Sequence, residues 1–301
     1  MVLSFRFGVV FTGATTAAAW PEYARRVEGL GFSTLLVADH FDNPMACTPL
    51  LMAAASATTT LRVGSYVMNN DFRHPAMLAK EIATVDVLSG GRAELGIGAG
   101  WSKEEYEQVG FGFDPGRIRA DRFEEGVTVL KKLLTGGSVV HEGRYYQLSG
   151  LEGLPLPVQR PLPLLIGGGG PRMIGIAARE AQIVAFVPPS LPGGGLDPDG
   201  FSEAAFADKV TRLDTALDSV GRSGDPPERS ILIFGIGNSA DQIGADWIQP
   251  DLVHTSPYAL HGGPATIADT LRERNNRWGL SYIVCFDQDI DKLAPVIPHL
   301  T

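Results

Sequence analysis

The apolar residues of this chain alternate between two rhythms. Short, continuously apolar or β-branched runs predict strands at Phe5–Phe11, Thr34–Ala38, Arg62–Val67, Arg92–Ile97, Leu164–Gly167, Ile183–Val187, Ile231–Gly235 and Tyr282–Phe286. Runs without polar alternation suit strands buried on both faces, as in parallel sheets. Between them, apolar positions recur at helical spacing over Trp20–Leu30, Pro49–Ala57, Pro75–Leu88, Ile118–Leu134, Pro171–Ala181, Ser202–Val220, Pro264–Trp278 and Asp289–Leu300. Strand–helix units repeated in this way predict an α/β fold, a (β/α)8 barrel forming one domain over residues 1–301.

The stretch Leu61–Trp101 shows the unit most fully. Its first strand breaks at Asn69-Asn70-Asp71, and a helix opens after His74-Pro75. Proline suits a first helical position, whose N–H has no helical partner. Met77, Leu78, Ile82, Val85 and Leu88 follow at helical spacing, and Ser89-Gly90-Gly91 supplies a glycine stop. The next strand runs into Gly98-Ala99-Gly100-Trp101. Parallel α/β folds bind ligands beyond the carboxyl ends of their strands, so Asn69, Asn70, Gly98 and Gly100 are expected to face a site. Taken singly, each would serve equally as a plain turn. Three segments depart from an even barrel: a hairpin over Val139–Leu148 turning at Glu142-Gly143, a Gly/Pro-rich loop at Pro188–Gly200 suited to a lid, and an extended link at Ile236–Gly263.

Candidate chemistry sits at the same strand ends. Asp39-His40 ends the second strand, and histidine titrates near neutrality, so it can move a proton there. As a bare dipeptide it reads more readily as a loop cap and a structural histidine, and its place at a barrel strand end reverses that. Gly167-Gly168-Gly169-Gly170 leads through Pro171-Arg172 into a helix. Free N–H groups and the helix dipole make that an anion site, to which Arg172 can add a charged bond. Glu104, Glu105 and Glu107 read as the solvated face of a short helix. His74, His141, His254, His261 and His299 show no metal-ligand spacing, and no nucleophile elbow or catalytic cysteine context appears.

The net charge of −9 argues against a nucleic-acid or anionic-membrane surface. An anionic ligand would depend on local N–H groups and a few arginines. Cys47 and Cys285 lie far apart, which suits free thiols in a reducing compartment. With no signal peptide or membrane-length apolar run visible, a cytoplasmic protein acting on a small molecule is expected.

FRHPAMLAKEIATVDVLSGGRAELGIGAGW resembles the bacterial luciferase-like monooxygenase superfamily, and within it the coenzyme F420 (deazaflavin)-dependent oxidoreductases. The likeness spans nearly the whole chain and is strongest in 34–41, 61–125, 141–180 and 262–286. It implies a (β/α)8 barrel with loop insertions, a homodimer, and hydride transfer at the deazaflavin C5. By the same resemblance Asp39, Tyr66, Val67, Asn69, Gly98, Ala99, Gly100, Gly168, Gly169, Gly170 and Arg172 would hold the cofactor, with His40 near its reactive carbon. A non-prolyl cis peptide is implied at Tyr66–Val67. Flavin-dependent members more often carry Glu-His where this chain has Asp39-His40. The family's sugar-phosphate dehydrogenase has an acidic Glu where this chain has Trp101, which puts that activity in doubt. The rival readings are an FMN-dependent monooxygenase, a non-catalytic flavin-binding protein, and an aldolase or isomerase barrel. The last lacks a strand-end lysine.

Overall fold

Every strand expected from the apolar runs forms in the computed structural model, which describes residues 4–243 and 247–300. The barrel strands are Arg6–Phe11, Thr34–Val37, Arg62–Ser65, Ala93–Gly98, Leu164–Gly168, Ile183–Phe186, Glu228–Ile233 and Leu280–Phe286. Each pairs in parallel with the next, and the last pairs with the first, so the sheet closes. Closure leaves no edge strand and directs every carboxyl end to one mouth.

Two apolar layers hold it. The larger lies between strands and outer helices and includes Phe7, Leu35, Leu51, Leu95 and Phe186. The smaller fills the barrel interior with Val10, Leu36, Leu165, Tyr282 and Val284. At the closed end, Arg6 binds Glu94 at 2.6 Å and Glu228 at 2.7 Å, with its guanidinium 3.6 Å from the centre of the Tyr282 ring. These charges satisfy one another at the end away from the strand-end loops.

Residues 66–69 leave the regular ladder. The Tyr66–Val67 peptide is cis, and a two-residue extension, Met68–Asn69, then pairs with the fourth strand. A Cβ at Gly96 would lie 2.0 Å from the Ser65 carbonyl oxygen, so this close approach requires glycine.

Four expectations need correction. The final helix is only Ile290–Leu293, followed by a 3-10 segment over Ala294–His299, because Pro295 and Pro298 interrupt the helical ladder. The second helix starts at Cys47, which places Pro49 within its first turn. The Ile236–Gly263 segment is not merely a link: Gly235–Gly237 and Ala259–His261 form a parallel pair. Residues 244–246 of that segment, and the extremes of the expected 1–301 domain, lie outside the described residues. The hairpin forms from Ser138–Glu142 and Gln147–Glu152, longer than its apolar pattern implied. Among the described residues no helix is long and apolar enough to cross a membrane.

Candidate active site

A cavity of about 990 Å³ opens at the carboxyl ends of the strands. That is the upper part of the range for small-molecule and cofactor sites. Its wall contains every residue that the resemblance assigns to the cofactor, together with His40: Asp39, His40, Tyr66, Val67, Asn69, Gly98, Ala99, Gly100, Gly168, Gly169, Gly170 and Arg172. The barrel therefore brings together residues more than a hundred positions apart in the chain.

At the second strand end, Asp39 and His40 have separate partners. Asp39 forms a two-point ion pair with Arg73, one contact at 2.9 Å, and accepts the Asn69 N–H at 3.2 Å. His40 Nδ1 lies 2.9 Å from Glu105 Oε2, while Glu105 Oε1 accepts the Phe41 N–H at 2.7 Å. Trp101 meets the imidazole edge-on at 5.5 Å between ring centres. Burial lowers the His40 pKa, but the hydrogen bond and charge of Glu105, helped by Asp42 and Asp39, outweigh it and raise it above the usual imidazole value. The geometry favours a protonated imidazole, or one whose Nδ1–H is fixed on Glu105 with Nε2 left to other partners.

Glu105 is a correction. Of the acidic trio only Glu104 and Glu107 are exposed; Glu105 is 7% exposed. The helix Lys103–Gln108 turns Glu105 and Tyr106 inward together. Tyr106 was the available signal, since an aromatic beside Glu105 marks the buried side of so short a helix.

The cis bulge is packed from behind by glycines. Ideal Cβ atoms at Gly96, Gly98 and Gly167 would approach the Val67 side chain to 3.2, 3.0 and 3.4 Å. Gly98 thus makes room for Val67 as well as for any ligand. Gly100 has φ +79°, and a Cβ there would lie 2.1 Å from the Tyr106 hydroxyl. Asn69 Oδ1 accepts the Asp71 N–H at 3.0 Å and lies 3.1 Å from that hydroxyl, so its amide nitrogen is the end available to a ligand. Asn70 faces elsewhere: it is buried and donates to the Tyr146 hydroxyl at 3.0 Å, tying the hairpin to the barrel.

At the fifth strand the helix Pro171–Glu180 begins at Gly170, and no side chain caps it. Its first N–H groups are therefore available to an anion. Cβ atoms at Gly168 and Gly169 would come within 2.5 Å of Met173 and 2.3 Å of the Val187 carbonyl oxygen, respectively, while Gly170 has open space. The Arg172 guanidinium binds Asp121 at 2.6 Å and Glu124 at 2.9 Å and is half-exposed. Exposed pairs of this kind are weak, about 0–1 kcal/mol, so an incoming anion can compete for it.

Arg73, Arg119 and Lys209 were not foreseen. Arg119 is 4% exposed, stacks 3.9 Å from the centre of the Phe113 ring, and donates to the Gly100 carbonyl at 3.3 Å. Lys209 is buried and donates to the carbonyls of Val187 at 3.2 Å and Gly200 at 3.1 Å, and to the Tyr258 hydroxyl at 2.8 Å. Burial pulls its pKa down to about 8. Those carbonyls bracket the Pro188–Gly200 loop, so Lys209 staples the loop's base. No local motif marks Lys209, whose partners come from distant segments, whereas Arg119 is held by the nearby Phe113 ring and Asp114 carbonyl as well as by Gly100.

Known proteins share this sequence and architecture. The chain is 31% identical over 173 residues to a 5,10-methylenetetrahydromethanopterin reductase of Archaeoglobus fulgidus, covering 58% of this chain and 50% of that protein. It is 29% identical over 206 residues to an F420-dependent glucose-6-phosphate dehydrogenase of Microbacterium testaceum, covering 66% and 58%. These matches thus span about half the length of the curated relatives. The structure of the coenzyme F420-dependent tetrahydromethanopterin reductase from Methanopyrus kandleri superposes with a TM-score of 0.81 at 20% identity, covering 99% of this chain and 100% of that one, which establishes the shared fold. The model of the luciferase-like monooxygenase family matches residues 1–236. With the closed parallel barrel, its strand-end cavity and this match in hand, the chain belongs to the luciferase-like monooxygenase family.

Proposed function

We propose that this protein is a coenzyme F420-dependent oxidoreductase that moves a hydride between the deazaflavin C5 and a small organic substrate. The observation that carries the reading is His40, held on Glu105 at 2.9 Å beside the cis Tyr66–Val67 bulge in one cavity. Relatives named as F420-dependent glucose-6-phosphate dehydrogenases support it, and so, by the family resemblance, does the Asp39-His40 pair where flavin-dependent members more often have Glu-His.

The cavity suits the cofactor in three respects. The bulge, backed by glycines that admit Val67, offers a surface for a planar ring. The Asn69 amide can meet the ring's polar edge. Gly168–Gly170 and the uncapped helix start can receive a phosphate, with Arg172 at hand. Asp39 acts mainly by fixing the Asn69 backbone and Arg73. When bound, the deazaflavin supplies or accepts the hydride. His40 then gives or takes the proton that balances the charge on the substrate oxygen or nitrogen. Glu105 orients the imidazole and sustains its protonation. Trp101 cannot supply the acid that a Glu would provide there. The protein is read as a cytoplasmic homodimer, to which Met77 and Leu88, exposed on one face of the third helix, would lend an apolar surface.

The test is anaerobic reoxidation of reduced F420 with a panel of cyclic enones and imines. Cofactor oxidation matched by substrate reduction supports the reading; no turnover, with an oxygenated product formed when reduced FMN and oxygen are supplied instead, supports the monooxygenase rival for which the family is named.

A further inference from the structure

The barrel mouth is divided by charge. The loops after the first, second, sixth and seventh strands, residues 12–18, 38–46, 187–202 and 234–263, contain no lysine or arginine. After the eighth strand only Lys292 appears, and it is paired with Asp289 at 2.7 Å. Of the mouth's other cations, Arg73, Arg117, Arg119 and Arg172 follow the third, fourth and fifth strands, while Lys209, behind the sixth-strand loop, is buried and committed to the Val187 and Gly200 carbonyls and the Tyr258 hydroxyl. A cofactor with its ring on the third-strand bulge and its phosphate at the fifth-strand glycines would lie along that cationic half. The substrate is then left with the half that lacks free cations.

That half is walled by rings. Phe234, after the seventh strand, stands 5.8 Å from Phe286 at the end of the eighth and 5.7 Å from Trp247. Trp101 belongs to the loop after the fourth strand, in the cationic half, and reaches across to the His40 ring at 5.5 Å between centres. Aromatic faces favour flat apolar partners. A phosphate or carboxylate placed among them would be desolvated without a counter-charge and would face Asp42, which also lines the cavity.

From this division we infer that the substrate is an uncharged, flat ring compound carrying one carbonyl or imine acceptor, with the ring among Phe234, Phe286, Trp247 and Trp101 and the acceptor at His40. The inference rests on the oxidoreductase reading for where the cofactor lies, and it excludes sugar phosphates and organic acids. Discrimination comes as much from the missing cations as from the rings.

Calorimetry on the purified protein, with and without F420, tests it. The probes are 1-tetralone, the ring-matched tetralin carboxylate and glucose 6-phosphate. The neutral ketone is expected to bind at least about tenfold more tightly than either anion. Phe234→Arg should reverse that order while leaving F420 affinity within a few-fold. Trp247→Arg, at the exposed rim, repeats the test where folding is not at stake. An anion that binds as tightly as the ketone, no ketone binding in either form, or variants that leave the ranking unchanged would each overturn the inference. A failure of F420 to bind would instead count against the cofactor reading, because the probe ranking is read separately from the F420 titration.

Discussion

At the residue scale, His40 and Glu105 carry the most specific chemistry. If His40 moves the balancing proton, His40→Ala should lower turnover by about 10²–10⁴, with cofactor affinity kept within a few-fold. Steady-state rates beside a cofactor titration check this; a normal rate would make His40 structural. Glu105→Gln tests the support behind it. The folded pKa of His40 is raised, so its favourable contribution is complete below the free imidazole value and fades as pH rises through the folded pKa. Removing the Glu105 charge should move the NMR titration of His40, and any alkaline limb in the rate profile, to lower pH. An unmoved titration would assign the shift to Asp39 and Asp42. Asp39-His40 was legible from its place at a strand end. Glu105 was legible only through Tyr106 beside it, because three acidic residues so close together otherwise look solvated.

At the element scale, the glycine loop and the Pro188–Gly200 loop make separable predictions. Gly170 has open space around it, so Gly170→Asp puts a carboxylate at the helix start with little steric cost. Cofactor affinity should fall by about tenfold or more while the melting temperature holds, as titration and thermal melts would show. Gly169→Asp is a poorer test, because its Cβ would meet the backbone of Val187 and lower stability as well. Lys209→Met removes the donor that joins Val187 to Gly200. Limited proteolysis should then cut within residues 188–200 faster than in the parent; an unchanged rate would mean the loop is held by its own turns. Most elements were legible because buried parallel strands are continuously apolar and end in glycine or polar residues. The last helix was misread because apolar spacing hid the effect of Pro295 and Pro298, and the strand pair at Gly235–Gly237 and Ala259–His261 depends on a contact that no local pattern announces.

At the scale of the whole molecule, closure of the barrel sets one end apart for chemistry. Ion pairs around Arg6 fill the opposite end. The mouth gathers the Asp39-His40 pair, the cis bulge and the phosphate-ready glycines into one cavity. That convergence is what the repeated strand–helix pattern foretold, and the uneven placement of lysine and arginine around the mouth was also present in the sequence. Its meaning needed the strand order, which converts positions along the chain into sectors of a ring. The central claim is the choice of cofactor, and parallel titration of the ligand-free protein with coenzyme F420 and FMN tests it most directly. The deazaflavin is expected to bind at least about tenfold more tightly; equal affinity, or a preference for FMN, would contradict it.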